Sequence, residues 1–303
     1  MRLVSKTAAV TALMVLSAFT SPAPAQEKVQ VVATFSILTD LTQQVGGERV
    51  TIKTLVGPES DAHVYQPTPT DSSEIAKARL VIANGLKFEG WMEKLVKSSG
   101  FKGQVVTATN GIKPIKGGDA HAHDHGKSDP HAWQNAANVL IYVKNIRDGL
   151  CKADAAGCET YTRNAAQYST EIQALDAEIK AKLKSIPADR RRIITSHDAF
   201  GYFASAYGVK FIAPRGISTE SEASAKDVAK LITQIRKDKV TALFVENITD
   251  TRLIEQIARE TKVKIGGRLY SDALSKTEGP AATYLKMMRH NLSLLAEAMS
   301  SGS

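Results

Sequence analysis

The sequence predicts an α/β protein built as two doubly wound, parallel-sheet lobes with one long helical segment between them. Three observations lead there. Short apolar, β-branched runs alternate with amphipathic helical stretches, the order that parallel sheets covered on both faces require. The runs fall into two sets of four, each set about the size of one lobe. Between the sets lies a stretch with helical periodicity and no strand pattern.

In chain order, the first set places strands at 29–35, 50–56, 80–83 and 104–108, with helical patterns at 36–45 and 88–98. Residues 135–185 follow, rich in Ala, Lys, Glu and Leu, with Ile172, Leu175, Ile179 and Leu183 stepping by three or four, which is the helical period. This predicts a connecting helix, interrupted near 149–157 and stopped before Pro187. A helix of about 25 residues is ~37 Å long at 1.5 Å per residue, enough to run the height of both lobes and restrict hinge opening. The second set places strands at 192–195, 210–213, 242–245 and 263–265, with helices at 199–207, 225–237 and 252–261. The resulting boundaries are 26–134 for an N-terminal lobe, 135–186 for the connecting segment and 187–303 for a C-terminal lobe.

Residues 1–25 are read as an address. Arg2 and Lys6 precede an apolar run from Thr7 to Phe19 that ends at Ala23-Pro24-Ala25, the pattern of a signal peptide with an A-x-A cleavage site. The run is shorter than the roughly 20 residues a bilayer needs, and no Cys stands at the cleavage point to carry a lipid. The mature chain is therefore expected to start at Gln26 and to be a soluble periplasmic protein. The chain carries +8 in all, and removing Arg2 and Lys6 leaves +6. Without basic clusters interleaved with aromatics, that charge is no argument for nucleic acid. Cys151 and Cys158 lie seven apart in an exported chain, where disulfides persist. They are expected to pair, since two isolated cysteines lack the C-x-x-C spacing of a thiolate metal site.

Residues 117–128 form a glycine-rich loop in which His121, His123 and His125 stand at every second position. Two readings stay open for it, an accessory capture site for a soft cation or a plain linker. Four further residues sit where a predicted strand gives way to a loop or helix, the edge where open α/β sheets bind ligands. His63 lies in DAHVYQPTPTD, past the second strand. His131 lies in DPHAW, where Asp129 is placed to orient the imidazole and Trp133 to keep water away. His197 lies in TSHDAF, read as a helix N-terminus whose dipole favours a neutral imidazole. Asp272 lies in SDAL, after the last strand. Taken singly, each also reads as a surface histidine, a turn or a cap. Taken together, they make three nitrogens and one oxygen, a tetrahedral set of the kind zinc accepts.

These motifs, spread over essentially the whole mature chain, resemble the periplasmic solute-binding proteins of zinc and manganese ABC importers, the cluster A-I group. The resemblance implies that His63, His131, His197 and Asp272 are the four metal ligands. It also implies two lobes joined by one rigid helix, with the metal in the cleft. Relatives with Glu at the third position tend to carry manganese or iron and those with His tend to carry zinc, so His197 implies one Zn2+ per chain. A monomer that hands its ion to a membrane permease, with a periplasmic metallochaperone as a possible donor, is the expected partnership. Gln66, residues 134–136 and Ala223 depart from the usual pattern without removing a ligand. The rival from another class, a zinc hydrolase, needs an open position for water. Asp272 fills that position. Three neutral imidazoles and one carboxylate would leave a divalent ion with net +1 on the site.

Overall fold

A computed structural model describes residues 27–117, 128–238 and 240–300. The signal-peptide reading on 1–25 and the histidines at 121, 123 and 125 lie outside the described residues.

Two four-stranded parallel sheets organise the chain. In the first, β1 (Val29–Phe35) pairs with β2 (Val50–Val56) and β3 (Leu80–Ala83), and β4 (Gln104–Thr107) flanks β3, giving the order β2-β1-β3-β4. In the second, β5 (Arg192–Ile194), β6 (Lys210–Ile212), β7 (Ala242–Glu246) and β8 (Ile265–Leu269) take the order β6-β5-β7-β8. The two orders are equivalent strand for strand. Parallel neighbours require crossover connections, and helices supply them. These are α1 (Ser36–Gly46), α2 (Pro69–Lys77) and α3 (Met92–Ser99) in the first half, and α6 (Gly201–Tyr207), α7 (Ala225–Asp238) and α8 (Arg252–Thr261) in the second. All four residues of β3 are buried, as expected of a strand covered on both faces.

Between the sheets, α4 (Ala136–Ala153) and α5 (Cys158–Lys184) pack on one another. The break falls at Asp154, inside the expected interval. Its carboxylate accepts from Gly157 N at 3.2 Å and from the Tyr161 hydroxyl at 2.7 Å, and pairs with Arg49 at 2.7 Å. A Cys151–Cys158 disulfide bridges the same corner. α4 packs against β3, β4 and α1, whereas α5, 27 residues long, reaches from α1 to α6 and α9 (Tyr284–Ser300). Ile172, Leu175, Ile179 and Leu183 are all buried, and through them one apolar core runs from Val31 in the first sheet to Phe203 and Met287 in the second half. A smaller cluster of Ile194, Leu231, Leu243 and Ile254 lies under α7 and α8.

The last strand differs from expectation. It begins at Ile265 rather than 263, includes Gly266 and Gly267, and shifts register against β7 between Leu243 and Val245. A Cβ at Gly266 would stand 2.6 Å from the Phe244 ring, so the glycine is what lets β8 pass that aromatic. Helix α3 starts at Met92 instead of 88, and α6 at Gly201 instead of 199. The residues before α3 form a loop in which Gly85, Leu86 and Lys87 all have left-handed φ, at 88°, 53° and 64°. Buried Glu89 holds that loop by accepting from Asn84 N at 2.7 Å and Gly85 N at 3.2 Å. Helices α2 and α9 lie outside the expected set. Thr68 and Asp71 form a capping box at the start of α2, with Pro69 in its first turn.

Candidate metal centre

Each of the four singled-out residues follows a strand end or precedes a helical turn. His63 lies seven residues past β2, His197 three past β5 and Asp272 three past β8, while His131 closes the connection from β4 and precedes a short 3-10 turn, Ala132–Gln134. The structure brings all four together. One potential ligand atom from each lies within 4.8 Å of every other. Asp272 Oδ2 stands 3.2 Å from His63 Nε2, 3.5 Å from His131 Nε2 and 3.2 Å from His197 Nε2, and the His63 and His131 Nε2 atoms are 3.3 Å apart. Donors bound tetrahedrally at about 2.0–2.1 Å sit roughly 3.3 Å from one another. Four of the six separations match the edges of such a tetrahedron, and the remaining two, from His197 to His63 and to His131, lie within 4.8 Å.

The surroundings are dry and aromatic. His131, His197 and Asp272 are fully buried and His63 is 7% exposed. Trp133 packs edge-on against His131 with ring centroids 5.3 Å apart, and Phe88 does the same to His63 at 4.8 Å. Trp133 Nε1 and Gln134 Nε2 both donate to Ser271 O, at 2.9 and 2.8 Å, which fixes the residue before Asp272 against the start of the helical segment.

The far nitrogens of two imidazoles face carboxylates. Asp129 Oδ1 lies 2.8 Å from His131 Nδ1 and also accepts from His131 N at 2.9 Å. Glu246 Oε2 lies 2.6 Å from His197 Nδ1, while its Oε1 accepts from Ser196 N at 2.7 Å and His197 N at 2.9 Å. Such partners aim a ligating ring and raise its basicity. Motif reading does not find Glu246; its one trace is an acid ending the otherwise apolar β7 run ALFVE.

One expectation about charge is corrected. The helix after His197 starts four residues later, at Gly201, too far for its dipole to set the imidazole. Burial does disfavour a charged His197, but Glu246 and Asp272 outweigh burial and hold its pKa well above the ordinary value. Burial acts likewise on His131, and Asp272 with Asp129 overcomes it, pushing the group up to about 9. His63 is lowered, by burial first and by repulsion from the other two rings, against the pull of Asp272. Burial would raise Asp272, yet His131 and His197 bring it well below the usual carboxylate range. Around the four side chains stand two further carboxyl groups, that of Asp129, named in the DPHAW motif, and that of Glu246, which the motifs did not include.

A family model described as zinc-uptake complex component A, periplasmic, matches residues 31–298. The chain belongs to this family. Among its relatives, the iron-binding protein YfeA of Yersinia pestis is 36% identical over 278 residues, covering 91% of this chain and 88% of that protein. The periplasmic zinc binding protein TroA of Treponema pallidum superposes with a TM-score of 0.84 at 31% identity, over 90% of this chain and 99% of the other. The manganese-bound periplasmic metal binding protein of candidatus Liberibacter asiaticus gives 0.81 at 32% identity, over 90% and 100%. These relatives are thus named for iron, zinc and manganese, and as binding proteins rather than enzymes.

Proposed function

We propose that this chain is the periplasmic solute-binding component of an ABC importer and that its cargo is a single Zn2+ ion held by His63, His131, His197 and Asp272. The observation that carries the reading is the set of four buried side chains whose potential donor atoms all lie within 4.8 Å of one another. Three imidazoles favour borderline-soft zinc over hard manganese. Importer membership supplies the partner, a membrane permease that takes the ion from the cleft. Export through a cleaved signal peptide, a monomeric state and loading by a metallochaperone complete the proposal. His121, His123 and His125 enter the proposal as an accessory capture site.

A manganese cargo is the second reading, and one observation favours it. Asp272 Oδ1 is buried without a hydrogen-bond partner among the described residues, so the carboxylate has a second oxygen to offer, and extra oxygen donors suit the harder ion. Competition dialysis with equal zinc and manganese, read by elemental analysis, separates the two. Zinc at one per chain supports the first reading; manganese retained in the presence of zinc overturns it. Loss of zinc binding in His197→Ala is expected, and unaltered affinity in that variant would remove His197 from the set.

A further inference from the structure

Of the four proposed ligands, His63 alone lines a cavity of about 520 Å³ and alone keeps any exposure, 7%. Phe88 and Pro130 on one side and Ile217 and Glu220 on the other share that cavity, so it is the mouth of the cleft and His63 is the outermost donor. The loop carrying His63 follows β2, the edge strand of the first sheet. The loop carrying Ile217 follows β6, the equivalent edge strand of the second. Asp61 joins them. Asp61 Oδ1 accepts from His63 N at 2.9 Å, and Asp61 Oδ2 accepts from the buried Thr219 hydroxyl at 2.6 Å.

We infer that Asp61 is a positioning residue that sets His63 and latches the two lobes across the mouth, so that breaking its bond to Thr219 precedes release of the ion. A hydroxyl bound to a carboxylate is short and charge-assisted, and here the same carboxylate also fixes the turn that aims the outermost ligand. Other bonds between the halves, among them those of Trp133 and Gln134 to Ser271 O, hold the segment of Asp272 in place. Leu274 N donates to Ser36 Oγ at 2.9 Å and Glu59 N to Leu274 O at 3.0 Å, which tethers the segment of Asp272. Opening at Asp61 therefore frees the outer ligand while the inner tether holds.

The inference rests on the metal site proposed above, and the experiment keeps the two apart. Release of Zn2+ from the full-length protein to a chromogenic chelator is followed by stopped flow for wild type, Thr219→Val, Thr219→Ser and Asp61→Asn. Losing a hydrogen bond to a charged group predicts release on the order of tenfold faster for Thr219→Val, with one ion still bound per chain and an unchanged Tm without metal. Thr219→Ser restores the hydroxyl and the wild-type rate, and Asp61→Asn releases faster than wild type. Equal rates for Thr219→Val and wild type overturn the latch alone, as does a Thr219→Ser rate as fast as that of Thr219→Val. A wild-type chain that takes up no Zn2+ overturns the site, and the latch with it.

Discussion

At the scale of single residues, Glu246 is the least obvious and most consequential side chain of the site. It is fully buried, takes two backbone N–H bonds and stands 2.6 Å from His197 Nδ1. Replacing it with Gln keeps the shape and removes the charge that makes His197 a strong donor. Outer partners of this kind are worth about 10–100-fold in metal affinity. Titration against a competing chelator should therefore show Glu246→Gln binding one ion per chain with affinity lower by that range; wild-type affinity would deny Glu246 its role. Acidity acts on the same atoms. A histidine raised above its unfolded value of about 6.5 stabilises the metal-free fold fully below that pH and loses the contribution as pH climbs through the folded value, about 9 for His131. Bound metal requires the deprotonated nitrogen, so acid stabilises the empty protein and opposes the loaded one. The Tm gained from metal should accordingly shrink as pH is lowered from about 9 to about 6. A gain that is constant over that interval would contradict the charge arrangement.

At the scale of elements, the corner between α4 and α5 offers a clean separation of stability from function. The Cys151–Cys158 disulfide and the Arg49–Asp154–Tyr161 cluster hold it, and none of these residues is among the four proposed ligands. Closing a loop of about eight residues is worth roughly 2.5 kcal/mol by loop entropy. The double variant Cys151→Ser, Cys158→Ser should lose about that much in denaturant unfolding while its zinc affinity stays that of the wild type; a large fall in affinity would tie this corner to the site. The elements also show what sequence makes legible. β1, β2 and β3 run over the expected residues because short β-branched stretches, continuously apolar in β3 and broken by Gln30 in β1 and by Thr51, Lys53 and Thr54 in β2, read as strands when bounded by turn residues. β8 does not, since Gly266, which lets it cross Phe244, and Gly267, which has φ 136° and faces Leu294, suppress the strand signal. The start of α3 falls later than its pattern for a related reason. Glu89, inside the expected helix, instead turns back to accept from the backbone of Asn84 and Gly85, a local contact that closes the loop in which Leu86 and Lys87 take left-handed φ. Of the site, the four donors can be found as motifs at strand ends. Glu246 and Phe88 cannot, because what makes them matter is a neighbour distant in sequence.

At the scale of the whole molecule, the equivalent strand orders explain how the site is assembled. His131 comes from the connection that leaves the fourth strand of the first sheet, and Asp272 from the one that leaves the fourth strand of the second. His63 and His197 follow β2 and β5, so each lobe contributes two donors from the C-terminal edge of its sheet. Hinged binding proteins swing their lobes apart when the shared site empties. The core here argues against a wide swing. Ile172, Leu175, Ile179 and Leu183 of α5 are buried in one cluster with side chains of both halves, and opening the lobes would expose that face at roughly 25 cal/mol per Å² of apolar area. The loops at the mouth lie outside that α5 face; they are held by buried Ala62, by Glu59 N on Leu274 O and by the Asp61–Thr219 bond, a smaller load that yields first. Small-angle scattering of the metal-free and zinc-loaded protein should therefore give radii of gyration that differ by less than about 1 Å, the scale of motion in preorganised complexes, while amide exchange slows on loading in residues 57–64 and 213–222. A change of several ångströms in radius would mean that α5 bends or unpacks, and the cleft would then open as a hinge and not by its outer loops.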